Sequence, residues 1–407
     1  MREITKGLMK SHFETKAVLP GKGTKPAPVA IEKGDRTLLL ILCSLMILGL
    51  AMIYSTSSAL AWETHADATY FFARQIFWTF LGVGIFVFMA QTDYHKLQDW
   101  IIPMTGLIFA LLIAVPLFGV EVNGARRWLR IGSVSFQPSE IAKLFAVIYL
   151  SHYIAKKGEH LAEFFRGLSP VLLILCLLCF LIFIEPDLGT TLTIVILTVL
   201  LLFIGGASRR HLIGLTVCTI AFASLALMRY PYMLQRVKTY INPLRDPPAK
   251  SFQINQSYIA LGSGGPFGVG LGEGRQKLFF LPQPHTDFIF SVVGEEFGLL
   301  GTFAVIFLFT CLLWKGAQIA SKIEDPFGQM LAIGTTLLMV MPALMNMGVV
   351  TGLLPTKGLS LPFLSYGGSS LLMNWIAAGI LYRISREVPT RRSARKDKIL
   401  QIEGAYS

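Results

Sequence analysis

Charge is scarce in this chain: of 407 residues only 15% are Asp, Glu, Lys or Arg, against 53% hydrophobic. Its apolar residues fall in runs rather than periodic stripes, which excludes an ordinary soluble globule and indicates an integral membrane protein. Cysteine is also sparse, and all five lie inside apolar runs, so the C-x-x-C of Cys176 and Cys179 reads as small hydrophobic side chains rather than a redox or zinc pair. No G-x-x-x-x-G-K-[ST] occurs, which excludes the common nucleotide-binding loop despite the glycine-rich stretch from Ser257 to Gly274. The net charge of +12 comes from basic residues without interleaved aromatics, clustered beside apolar runs, so no nucleic-acid partner is expected.

What is present is a series of apolar runs long enough to cross a bilayer as helices. They lie at 37–57, 70–90, 101–119, 138–154, 168–184, 188–206, 211–228, 288–314, 327–349 and 367–384. The fold class is therefore an all-α integral membrane protein with about ten transmembrane helices. Lysine and arginine crowd both tails, from Arg2 to Arg36 and from Arg383 to Lys398, which places both termini in the cytoplasm. Alternate loops agree, with Lys156, Lys157, Arg166, Arg209, Arg210, Lys315 and Lys322 on the inner side and no Lys or Arg in the first outer loop, 58–69. Three regions follow: a disordered basic tail at 1–36, a membrane domain at 37–386 containing a large outer loop at 229–287, and a cytoplasmic tail at 387–407. The polar tail before the first run predicts an uncleaved signal anchor rather than a cleavable signal peptide.

Two outer loops carry positive charge against this trend. One contains Arg126, Arg127 and Arg130 and leads into Gln137, Pro138, Ser139 and Glu140, with Lys143 one turn later. Glu140 and Lys143 share a helix face. The group is either a salt-bridge cluster tying loop to helix or an anion site in which arginine forks and a lysine point charge meet phosphate. The other is the long loop, whose glycine-rich half suggests a re-entrant or lid-like element over a groove.

Asp287, where that loop enters an apolar helix, is the leading candidate for chemistry, because a carboxylate at the mouth of a buried helix is costly without a task. Glu295 and Glu296 lie about 12 Å deeper on a helical rise and suit helix packing or a polar cavity. Glu185 and Asp187 flank Pro186 in a short turn, where N-cap chemistry explains Asp187 as well as function does. The Pro/Gly-broken stretch from Gly352 to Ser370 contains one cation, Lys357, and broken backbone at that depth requires a protein-lined or wet cavity.

Five ordered motifs, Asn123 to Trp128, Gln137 to Glu140, Glu185 to Thr190, His285 to Phe290 and Leu364 to Ser370, resemble the SEDS family of polytopic peptidoglycan polymerases. The resemblance covers nearly everything after residue 37, and the basic tail with Pro355 to Leu359 is more similar to the division branch than to the elongation branch. It implies transfer of one lipid II glycan onto another at the outer face of the inner membrane, at the septum. A class B penicillin-binding protein would be the transpeptidase partner, beside other division proteins. It further implies that Arg126, Arg127, Lys143 and Lys357 receive pyrophosphate charge, with Glu140, Ser365 and Tyr366 among the substrate-binding positions. Asp287 would be the base or the ligand of a divalent cation, Mg or Mn, with no covalently bound cofactor. Glu185, Asp187, His285, Glu295 and Glu296 would be supporting residues. Two competing functions are a lipid II flippase, for which Glu295, Glu296 and Lys143 would line a polar path, and a scaffold for division proteins.

Overall fold

The computed structural model describes residues 34–122, 125–132, 134–229, 234, 240, 248–278, 280–355 and 358–388. Both expected tails, Lys357 and the Asn123-Gly124 pair lie outside the described residues, apart from Gly34–Arg36 and Glu387–Val388.

Every expected apolar run is a helix. These are α1 (Arg36–His65), α2 (Tyr70–Gln91), α3 (Ile101–Phe118), α4 (Pro138–Lys157), α5 (Ser169–Ile184), α6 (Leu188–Ile204) and α7 (Arg209–Arg229). An additional helix, α8 (Pro248–Ser263), lies in the long loop, before α9 (Ile289–Ala320), α10 (Pro326–Val350) and α11 (Gly368–Ser385). Among the described residues six helical stretches, α1, α2, α3, Phe164–Ile184 (α5 with the π turn before it), α9 and α10, have the length and apolarity to span a membrane, and α6 is a shorter apolar helix. Their starts are written locally. Asp35 caps α1 through the N–H groups of Thr37 and Leu38, Asp325 caps α10 before Pro326, and Pro138 opens α4. The expected first outer loop is mostly helix: α1 runs on through Ser58 to His65, because Ser-Ala-Leu-Ala-Trp offers no breaker, and Ala66 ends it in the left-handed region.

The hub is α10, which packs against α4, α6, α9 and α11, while α2 packs on α11 and α1 on α9. The outward side is apolar: Phe80 and Phe88 on α2, Phe118 on α3, Leu173 on α5, and Phe303 and Phe307 on α9 are all exposed. A surface of that kind suits hydrocarbon rather than water.

The eighth expected span is interrupted. At Gly298 the backbone turns to φ 66° and ψ −155°, breaking the helical ladder of α9. The glycine-rich segment fills the break. Leu299 and Leu300 donate their N–H groups to Gly265 and Pro266, and Val269 and Gly270 donate theirs to Glu295 and Glu296. A Cβ on Gly268 would lie 2.1 Å from the Glu296 carbonyl oxygen, so this approach requires glycine. Below it, Glu295 accepts from the N–H groups of Arg275 and Gln276, while buried Glu296 accepts from Lys277 Nζ at 2.6 Å and from Ser55 on α1. The glycine-rich segment is thus fastened to α9 by the carbonyls and carboxylates around the break, and none of Gly262 to Gly274 lines the cavity described next, contrary to a lid over that groove.

Candidate functional site

The loop between α3 and α4 is an antiparallel ribbon of β1 (Val120–Val122), β2 (Ala125–Ile131) and β3 (Val134–Phe136), in the order β1-β2-β3. Successive strand residues point to opposite faces, so the two expected phosphate arginines part company. Arg127 donates Nε to the Glu185 carbonyl at 3.2 Å and Nη2 to the Pro186 carbonyl, and lines a central cavity. Arg126 turns away, exposed, to Glu121 at 3.8 Å and to the Pro116 carbonyl, in a separate surface pocket. The joint assignment of both arginines to one anion site is corrected on that ground.

The central cavity has a volume of about 360 Å³. Four helices start at its wall: Gln137 precedes α4, Asp187 precedes α6, Asp287 lies one residue before the cap of α9, and Gly367 precedes α11. Helix starts present N–H groups and the positive end of the dipole, which favour an anion; at α6 the Asp187 carboxylate already occupies that place. Lys143 and Arg127 add positive charge. Lys143 is held by Glu140 at 2.7 Å within α4, both buried, and both line the cavity.

Asp187 belongs to the wall as well, with its carboxylate saturated. It accepts from Gln137 Nε2, Ser139 Oγ, Thr190 Oγ1 and the Thr190 N–H. That buttress fixes the start of α6 against α4. Its neighbour Glu185 is not part of this wall; it borders the smaller pocket with Arg126, and its carboxyl oxygens are buried. Burial, and then the charge of Asp187, push the Glu185 carboxyl up to about 8, with Arg127 opposing. Neither carboxyl oxygen has a hydrogen-bond partner among the described residues.

Half-buried Asp287 is presented by a strongly constrained turn. The carbonyls of His285, Thr286 and Asp287 accept in turn from the Tyr366 N–H at 2.9 Å, the Ser365 hydroxyl, and Asn346 Nδ2 at 2.7 Å. Ser365 also accepts from the Leu361 N–H at 2.8 Å and does not line the cavity, so its expected place among the substrate-binding residues is corrected: the backbone consumes its hydroxyl. Tyr366 does line the cavity. His285 sits behind it, buried and stacked 5.2 Å from Phe71, and burial lowers its pKa to about 4. Glu295 and Glu296 are spent on the α9 break and are not part of the cavity wall.

Several wall residues were not singled out from the sequence: Thr190 and Gln283, with Ser370 and Asn374 on α11. Asn346 was also missed, although an amide inside the apolar run of α10 was a visible signal. For a divalent cation the donor set is thin. No trio of His, Cys, Asp or Glu ligand atoms gathers around Asp287 among the described residues; the one such trio is Asp93, His95 and Glu387, which lies elsewhere. The described residues thus offer no protein-only cage for a divalent cation at Asp287.

A family model described as "Cell cycle protein", FTSW_RODA_SPOVE, matches residues 35–390. A probable peptidoglycan glycosyltransferase FtsW of Geobacter metallireducens is 41% identical over 87% of this chain and 95% of its own length. Stage V sporulation protein E of Bacillus subtilis is 39% identical over 87% and 98%. Among solved structures, one from work on polymerization and crosslinking by a peptidoglycan synthase complex superimposes with a TM-score of 0.71 at 27% identity, covering 87% of this chain and 98% of that one. The rod shape determining protein RodA of Thermus thermophilus gives 0.63 at 25% identity, covering 88% and 98%.

Proposed function

The chain belongs to the FtsW, RodA and SpoVE family of cell cycle proteins, and from that premise we propose that it is a multi-pass peptidoglycan glycosyltransferase. It polymerises lipid II into glycan strands at the outer face of the cytoplasmic membrane, at the division septum. The observation that carries the reading is the cavity that Asp287 lines together with Lys143, Arg127 and the starts of α4, α6 and α11, the carboxylates of Glu140 and Asp187 being engaged by Lys143 and by the α4 and α6 starts. That arrangement suits a reaction with a hydroxyl proton to be removed at one end and a departing pyrophosphate at the other.

In the proposed reaction an acceptor sugar hydroxyl attacks the anomeric carbon of the donor. Asp287 takes the hydroxyl proton as the new C–O bond forms. The bond from the anomeric carbon to the pyrophosphate oxygen breaks, and its electron pair leaves with the polyprenyl pyrophosphate. Lys143 and Arg127 receive that charge, and because it grows toward the transition state their attraction to it lowers the barrier. A single displacement of this kind inverts the anomeric centre. In the alternative role Asp287 would instead hold a divalent cation, which would supply neutralisation of the pyrophosphate charge. Lys357, which lies outside the described residues, is the remaining cation assigned to this end of the substrate.

The partner in this reading is a class B penicillin-binding protein that cross-links the strand, supported by the likeness to a chain from a peptidoglycan synthase complex. Other division proteins would assemble around the pair. The test is purified chain with its transpeptidase partner in nanodiscs, given labelled lipid II. Glycan polymer is the expected product; lipid II crossing vesicle membranes without polymer would replace the enzyme by a flippase, and neither activity would favour a scaffold.

A further inference from the structure

We propose that Asn346 is a positioning residue for this reaction, the side chain that, among the described residues, bonds both the Asp287 carbonyl and the Leu359 carbonyl and so sets the distance between the Asp287 turn and the opposing Gly358–Leu359 wall of the cavity. This rests on the glycosyltransferase reading above. Asn346 is 2% exposed, in the last third of α10, four residues after Pro342. Its Nδ2 donates to the Asp287 carbonyl at 2.7 Å and to the Leu359 carbonyl at 2.6 Å. Only the amide nitrogen carries two protons for two carbonyls, so the orientation of the amide follows from its partners. The arrangement leaves Oδ1 buried without a partner among the described residues, a sacrifice that generic helix packing would not select.

The two bonded carbonyls belong to chain segments 72 positions apart, and both line the cavity. They are also close: a Cβ on Gly358 would lie 3.2 Å from Asp287 Oδ2. Pro342 supplies no N–H to the α10 ladder, and Pro342 and Leu338 themselves form cavity wall. Asn346 thus fastens both lips of the cavity to the helix that forms its floor. Ser365 and the Tyr366 N–H hold the two preceding carbonyls, but from one loop, and neither bridges to Leu359. Asn346 touches no reacting atom. Its effect acts through Asp287, whose displacement by about 1 Å is enough to reduce turnover on the order of 100-fold.

The test is steady-state polymerisation with the partner bound, beside wild type and Asp287→Asn. Asn346→Leu keeps the number and branching of side-chain heavy atoms and removes both donors; the expected result is kcat lower by roughly 10- to 100-fold with KM for lipid II within about threefold. Asn346→Ser retains one donor and should fall between, and it decides the matter if the leucine variant is not monodisperse. Both variants turning over within about twofold of wild type, or losing rate only through KM, would overturn the proposal. Because wild type and Asp287→Asn are run together, that outcome is distinct from failure of the glycosyltransferase reading, in which wild type itself makes no polymer.

Discussion

Replacing Lys277 by Met removes the only cation paired with Glu296 among the described residues; the Glu296 side chain is 0% exposed and that of Lys277 6% exposed. The remaining partner of the carboxylate is the Ser55 hydroxyl at 2.6 Å, and Glu296 Oε2 has none among the described residues. Breaking a buried pair from one side leaves an uncompensated charge and costs about 3–5 kcal/mol. The first structure to feel it is the segment docked on the α9 break, since Lys277 also donates to the Gly272 carbonyl at 2.7 Å. Local opening of that segment should therefore increase by roughly two to four orders of magnitude. Hydrogen exchange reads this at the Val269, Gly270 and Leu299 amides, which cross the docking seam. The paired variant Lys277→Met with Glu296→Leu should recover most of the protection, because replacing both charges by apolar groups is often neutral. Less than a tenfold rise in exchange for the single variant, or no recovery in the double, would refute the view that this ion pair clamps the segment.

Arg127→Ala should reduce polymerisation by at least about tenfold at matched thermal stability, while Arg126→Ala should stay within about threefold, since only the first faces the cavity; equal losses would reunite the two arginines at one site. Glu185 has its folded-state pKa raised to about 8 from 4.5, so the native state holds a proton that the unfolded chain releases. Its contribution to stability is complete below about pH 4.5 and is lost as pH rises to about 8; across that window wild type should lose stability with rising pH relative to Glu185→Gln, and parallel curves would refute the assignment. His285 shifts the other way, to about 4 from 6.5, so stability linked to its neutral ring is present above pH 6.5 and lost as pH falls toward 4; a wild-type acid limb that persists in His285→Phe would assign it to another group.

What was legible in the sequence depended on length scale. The apolar runs became helices because hydropathy and length are local, and Asp187 and Asp325 cap α6 and α10 through bonds spanning two or three residues. The site motifs were visible as residue types, and Asp287, Lys143, Arg127, Glu140 and Tyr366 share one cavity. The split of Arg126 from Arg127 was not visible, since it depends on a strand phase inside a segment read as loop. Ser365 looked like a substrate contact until its hydroxyl was found between the Leu361 and Thr286 backbones. The Lys277–Glu296 pair joins residues 19 apart across a helix break, and its third member, Ser55, comes from α1; no local pattern announces that grouping. Asn346 was the exception, a polar side chain in an apolar run whose partners were invisible but whose presence was not.

The central claim is that Asp287 performs the proton transfer in the cavity. Its most direct test is Asp287→Asn, which preserves size and the Asn346 bond to the backbone carbonyl while removing the base. With lipid II binding and thermal stability equal to wild type, the expected result is polymerisation lower by about 10²- to 10⁴-fold at saturating lipid II. Turnover within about tenfold of wild type under those conditions would contradict it.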